Sequence, residues 1–141
     1  MSVTSKARTE WDGGLADGSG TTSLGSGAAT LPVNWTARAE GASATTTPEE
    51  LLAAAHASCY AMALSHGLGE NGTPPGHLEV SAAVTFVPGT GVTTSVLTVS
   101  GRVDGIDAKT FETFARDAKA NCPVSKALAG VEIELSSVSF G

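Results

Sequence analysis

The sequence predicts an α+β fold: an antiparallel sheet packed on two main helices, in the order β-β-β-α-β-β-α-β. Three observations carry that reading. An alanine-rich helix pattern fills residues 47–67, two alternating runs rich in β-branched residues follow it as a hairpin, and a capped second helix precedes one last alternating strand. At 141 residues the chain has room for one sizeable core and not for two, so residues 1–141 read as a single domain.

Residues 3–11 alternate loosely and make a first strand. Residues 12–27 are dense in Gly, Ser, Asp and Thr, which predicts turns around a short second strand at 21–24. The glycine pairs there (Gly18 with Gly20, Gly25 with Gly27) do not run on into a Gly-Lys-Ser/Thr or dinucleotide pattern, which argues against a phosphate loop. Residues 31–40, LPVNWTARAE, put Val33, Trp35, Ala37 and Ala39 on one face and Asn34, Thr36, Arg38 and Glu40 on the other. That period of two predicts a third strand.

The central helix is specified from its first residue. Thr47 caps it through its hydroxyl, Pro48 has no N–H to lose in the first turn, and Glu49 and Glu50 face the positive end of the dipole. Leu52, Ala55, Cys59, Met62 and Ala63 recur at helical spacing as the expected buried face, and Gly67 offers the stop. Alanines at 53, 54, 55 and 57 make the helix thin, suited to the centre of a domain or to a contact between two subunits. A Gly/Pro turn at 70–76 leads to strands at 77–87 and 92–103, joined by the turn at 88–91. Asp107 then caps a second helix that runs through residue 120 with Phe111, Phe114, Ala115 and Ala118 on its inner side. Residues 121–123 break it, a helical turn follows at 124–128, and residues 131–140 alternate as a final strand.

Composition limits the functions open to this chain. The net charge is −6 and the eight Lys and Arg are scattered, which argues against a nucleic-acid partner. No run approaches the roughly 20 apolar residues of a membrane helix, and residues 1–10 lack the apolar core of a secretion signal, so a soluble cytoplasmic protein is expected. In that compartment two cysteines are inert, metal-binding or redox-active more often than a structural disulfide. Cys59, read alone, is a buried and inert thiol. Cys122 directly precedes Pro123 at a helix start, where N–H groups and the dipole favour a thiolate, so local sequence makes Cys122 the better nucleophile. A metal site built from His56, His66, His77 and the cysteines is the competing reading. Only His56 and Cys59 have a usable spacing for it and there is no Cys-x-x-Cys pair, so no metal or other cofactor is expected. Arg38 and Glu49, read alone, are solvated surface charges.

The segments TPEELLAAAHASCYAMALS around Cys59 and NCPVSKAL around Cys122 resemble the two signature segments of the osmotically inducible OsmC and organic hydroperoxide resistance (Ohr) proteins, thiol-dependent peroxidases of bacteria. The strand WTARAEG and the Gly105-Ile106-Asp107 turn extend the resemblance over most of the chain, and the arginine in WTAR favours the OsmC branch. Ala39 departs from it, since a bulkier apolar residue is expected after the arginine.

The resemblance implies an OsmC-like intertwined homodimer. It makes Cys59 the peroxidatic cysteine, Cys122 the resolving cysteine, and Arg38 with Glu49 the polar pair that activates the site. The implied partners are an organic hydroperoxide and a dithiol reductant, with dihydrolipoyl proteins suggested by the family alone. A non-catalytic redox-sensing or binding protein of the same fold stays open as the alternative. Ten residues separate Glu49 from Cys59, about 15 Å of rise on a regular helix, so the glutamate does not simply reach the thiol along its own helix.

Overall fold

Short polar strands open the chain. In the computed structural model, which describes residues 1–141, β1 (Ala7–Asp12), β2 (Ser19–Leu24) and β3 (Thr30–Val33) form an antiparallel meander in that order. Its turns fall in the Gly/Ser-rich stretches. The expected third strand ends early, because Trp35–Glu40 is a helix, α1. Asn34 decides this: its backbone is extended and its Oδ1 accepts from the Ala37 N–H at 2.7 Å, which caps a helix the period-two pattern conceals. Gly41 ends α1 at φ +84° by donating its N–H to the Ala37 carbonyl. Over six residues, alternation and helical spacing are hard to tell apart, and the cap outweighs the pattern.

Helix α2 (Pro48–Glu70) starts as expected and runs three residues past Gly67. Thr47 Oγ1 accepts from the Glu50 N–H at 2.9 Å, and Thr46 donates its hydroxyl to Glu50 Oε1 at 2.7 Å. The chain forms two compact units, Met1–Leu51 and Leu52–Gly141, so the first turn of α2 belongs to the first unit and the rest to the second. No helix is long and apolar enough to cross a membrane.

In the second unit the buried face of α2 is His56, Tyr60, Leu64 and Leu68, spaced four residues apart. This corrects the expected face: Ala55 is exposed and Met62 is 71% exposed. Alanine surrounds the helix and marks no side, and the polar His56 conceals the stripe that is in fact buried. Cys59 lies at its edge, half-buried against the core.

Strands β4 (His77–Val87) and β5 (Gly91–Arg102) pair antiparallel, while β6 (Glu132–Phe140) runs parallel to β5, giving the order β4-β5-β6. The expected single antiparallel sheet is therefore two three-stranded sheets, one of them mixed. The connection explains it. Between β5 and β6 the chain passes through α3 (Ala108–Asn121) and α4 (Pro123–Ala127), and a helical crossover returns a strand in the same direction. Asp107 caps α3 by accepting from the Thr110 N–H at 2.8 Å.

The core gathers Tyr60, Leu64, Leu68, Leu97, Val99, Phe111, Ala115 and Cys122. The tightest approach is at Gly101, where a Cβ would lie 2.5 Å from Phe111 Cζ and 2.9 Å from Leu78 Cδ2. Gly101→Ala should therefore cost about 1–3 kcal/mol by overpacking, read as a lower urea midpoint at unchanged slope. An unchanged midpoint would show that the Phe111 ring moves aside freely.

Candidate active site

Within the first unit, Arg38 in the last turn of α1 meets Glu49 in the first turn of α2. Arg38 Nε donates to Glu49 Oε1 at 2.8 Å and more weakly to Oε2 at 3.3 Å. Glu49 is only 5% exposed and the arginine about one-third exposed, so the pair is not the solvated surface charge each residue suggests alone. The carboxylate also sits at the positive end of α2. Beside Arg38 a cavity of about 350 Å³ is walled by Trp11, Leu15, Val33, Trp35 and Leu51, an apolar surface with one cation on it.

The two thiols meet in the second unit. Cys59 comes from the middle of α2. Cys122 comes from the junction of α3 and α4, where its N–H still donates to the Ala118 carbonyl while its own carbonyl accepts from Lys126. The two sulfurs are neighbours close enough to influence each other's ionisation, and neither is in a disulfide. Burial pushes the Cys59 thiol up; the Val124 N–H opposes this, and the neighbouring Cys122 sulfur adds to it. Burial works against the Cys122 thiolate as well, but there it is outweighed by the Ser125 N–H, the Cys59 thiol, the Ser125 hydroxyl and the Val124 N–H, and the net direction is down. The surroundings thus favour the protonated form at Cys59 and the thiolate at Cys122. Tyr60, beside them, donates its hydroxyl to the Ala115 carbonyl at 2.8 Å, and burial followed by the Cys122 charge raises its pKa.

One turn before Cys59, His56 is fully buried between two serines. Its Nδ1 lies 2.6 Å from Ser95 Oγ on β5 and its Nε2 lies 2.8 Å from Ser125 Oγ on α4. Both ring nitrogens are thus engaged by hydroxyls, which takes the imidazole out of the competing metal reading, and no group of His, Cys, Asp or Glu is arranged to hold a metal ion. Ser95 and Ser125 carry no mark in the sequence alone. The available signal is a pair of spacings, His56 three before Cys59 and Ser125 three after Cys122, which puts a polar neighbour one turn from each thiol.

A mixed sheet crossed by a thin central helix, with one thiol on that helix and one at a helix junction, defines a two-cysteine α+β class. Residues 40–136 match the family described as OsmC-like protein, and the chain belongs to the OsmC family. It is 40% identical over 132 residues to Peroxiredoxin OsmC of Escherichia coli, covering 91% of this chain and 92% of that one. Among solved structures it resembles the organic hydroperoxide resistance protein OhrB of Bacillus subtilis, with TM-score 0.67, 25% identity, and coverage of 96% of this chain and 98% of that one. An OsmC-like protein from Mycoplasma pneumoniae shares the fold at TM-score 0.74 and 14% identity, over 99% of each chain.

Burial holds the His56 imidazole below its ordinary value of 6.5. The unfolded chain takes up a proton there that the folded chain refuses. The resulting stability is complete above about pH 6.5 and is lost as pH falls below it, at up to ~1.4 kcal/mol per pH unit. Urea midpoints taken between about pH 7.5 and 5.5 should fall more steeply in the wild type than in His56→Gln. Parallel profiles would contradict a buried neutral imidazole.

Proposed function

We propose that this chain is a thiol-dependent peroxidase that reduces organic hydroperoxides to alcohols in stress defence, working in the cytoplasm as a homodimer with residues 1–141 as one functional domain. The observation that carries the reading is the approach of Cys59 and Cys122, two free thiols from different elements near enough to influence each other's ionisation. Their match to a family whose Escherichia coli member is called a peroxiredoxin supports it.

In the first step the Cys59 thiolate attacks one peroxide oxygen. The O–O bond breaks, the alkoxide leaves and takes a proton to become the alcohol, and Cys59 becomes a sulfenic acid. Cys122 then attacks that sulfur: the S–S bond forms, the S–O bond breaks, and the oxygen leaves as water with the Cys122 proton. An external dithiol, for which a dihydrolipoyl protein is the candidate, restores both thiols by exchange.

Access decides which thiol acts first. Cys122 is wholly buried whereas Cys59 is partly exposed, so a peroxide reaches Cys59 even though Cys122 is the better thiolate at rest. Cys59 then needs a cation to lower its pKa and to meet the charge developing on the departing oxygen; Arg38, aligned by Glu49, is the group proposed for it. A desolvated charge nearby outweighs a helix dipole contribution of ~0.3–1 kcal/mol. The apolar walls beside Arg38 support an alkyl-bearing substrate: at ~0.8 kcal/mol per buried methylene, two or three methylenes favour it over hydrogen peroxide by roughly ten- to fiftyfold. The exposed α2 face of Ala54, Ala55, Ser58 and Met62 supports the homodimer.

Two experiments test the assignment. After one equivalent of cumene hydroperoxide, Cys122→Ser should yield a dimedone adduct on Cys59 and Cys59→Ser should yield none; an adduct on Cys122 in the Cys59→Ser protein would swap the roles. Arg38→Lys should lose at least about tenfold in turnover of tert-butyl hydroperoxide with a dithiol, because an ammonium lacks the Nε that Glu49 engages and the planar fork. Turnover near that of the wild type would return Arg38 to a structural charge.

A further inference from the structure

The Ser125 hydroxyl, three residues after Cys122 at the start of α4, links the buried imidazole to the surroundings of the buried thiol. It lies 2.8 Å from His56 Nε2, and as a donor it favours the Cys122 thiolate. A hydroxyl has a single proton to give. When that proton is on the sulfur, the link to His56 must be made by Nε2–H donating to Ser125 Oγ. A neutral imidazole then has only a lone pair on Nδ1, so at the other end Ser95 donates its hydroxyl to Nδ1 across 2.6 Å. Two short bonds then run in one direction, from the central strand β5 through α2 to α4, and leave the Ser125 proton for the Cys122 sulfur.

We propose that His56 is a positioning residue which, backed by Ser95, fixes the Ser125 hydroxyl as a donor to the Cys122 sulfur and so governs the second half-reaction of the thiol cycle rather than the first. The proposal rests on the peroxidase reading for the reaction it serves, while the hydrogen-bond chain itself does not. Nothing in the chain touches Cys59 directly; its end bears on the thiol that must lose a proton as the S–S bond forms and the sulfenic oxygen departs as water. Without His56 the Ser125 hydroxyl is free to turn back to a helix carbonyl, a common bond for serine within a helix, and the Cys122 sulfur loses a donor. Burial keeps the imidazole neutral, which is the state that lets Ser95 donate to it. The titratable groups facing Cys122 are Cys59 and Tyr60, both on α2.

Two readouts decide it. In a Cys59→Ser background, where Cys122 is the only thiol, its ionisation can be followed by thiolate absorbance in the ultraviolet. Adding Ser125→Ala or His56→Phe should raise the midpoint by about one pH unit, and His56→Gln, whose amide can still donate to Ser125, should raise it less. In the protein with both thiols, single-turnover mixing with cumene hydroperoxide should show Cys59 sulfenic acid forming within about twofold of the wild-type rate in Ser125→Ala and His56→Phe, while its conversion to the disulfide slows about tenfold. A merely structural role would slow both half-reactions together, and that result overturns the proposal, as does an unchanged Cys122 midpoint in Ser125→Ala. Ser125→Ala removes a single oxygen atom and keeps the test decisive if His56→Phe does not fold. Failure of the wild type to form any sulfenic acid would overturn the peroxidase reading instead, and the Cys122 titration would then decide this proposal by itself.

Discussion

A buried imidazole must satisfy two nitrogens, and the second unit is arranged so that it does. A polar group left unpaired there would cost about 1–3 kcal/mol. Ser95 on β5 and Ser125 on α4 are the partners that avoid it, and they tie α2 to both elements. Tyr60, Leu64 and Leu68 on the same face of α2 enter the core, and Cys59 lies at its edge, beside Cys122 and partly exposed.

The same geometry gives the two thiols opposite surroundings. The groups around the Cys122 sulfur favour its thiolate despite burial, so the net push on its pKa is down, and the residue is wholly buried. Cys59 has the access and lacks the stabilisation, since burial and the adjacent sulfur both push its pKa up. The Arg38–Glu49 pair, whose carboxylate is buried at the start of α2, is the only ion pair with a buried partner among the three salt bridges of the chain, which sets it apart from the exposed Arg8–Glu10 and Arg116–Glu112 pairs.

Much of this was legible in the sequence, and the exceptions have physical causes. The caps at Thr47 and Asp107, the hairpin of β4 and β5 and the break at Cys122-Pro123 were readable because each depends on residues within a few positions of one another. The helix at Trp35–Glu40 was not, because alternation over so short a stretch imitates a strand and only the Asn34 cap contradicts it. The parallel pairing of β6 depends on a crossover through two helices, and the inner face of α2 on serines 39 and 69 residues away from His56. Both cysteines stood out as candidates and are brought together; His56 and its two serine partners belong to a long-range network with no local pattern.

The central claim is that Cys59 and Cys122 of one chain are the two ends of a single redox cycle. It is tested most directly by treating the fully reduced protein with one equivalent of cumene hydroperoxide, blocking the remaining thiols, and mapping disulfides by non-reducing peptide mass spectrometry. The expected product is one linked pair of peptides, Cys59 with Cys122, within a single chain and lighter by two hydrogens than its reduced parts, reversed in full by a dithiol. Disulfides between Cys59 residues of two chains, or recovery of Cys122 as a free thiol in protein that has consumed its peroxide, would contradict the account.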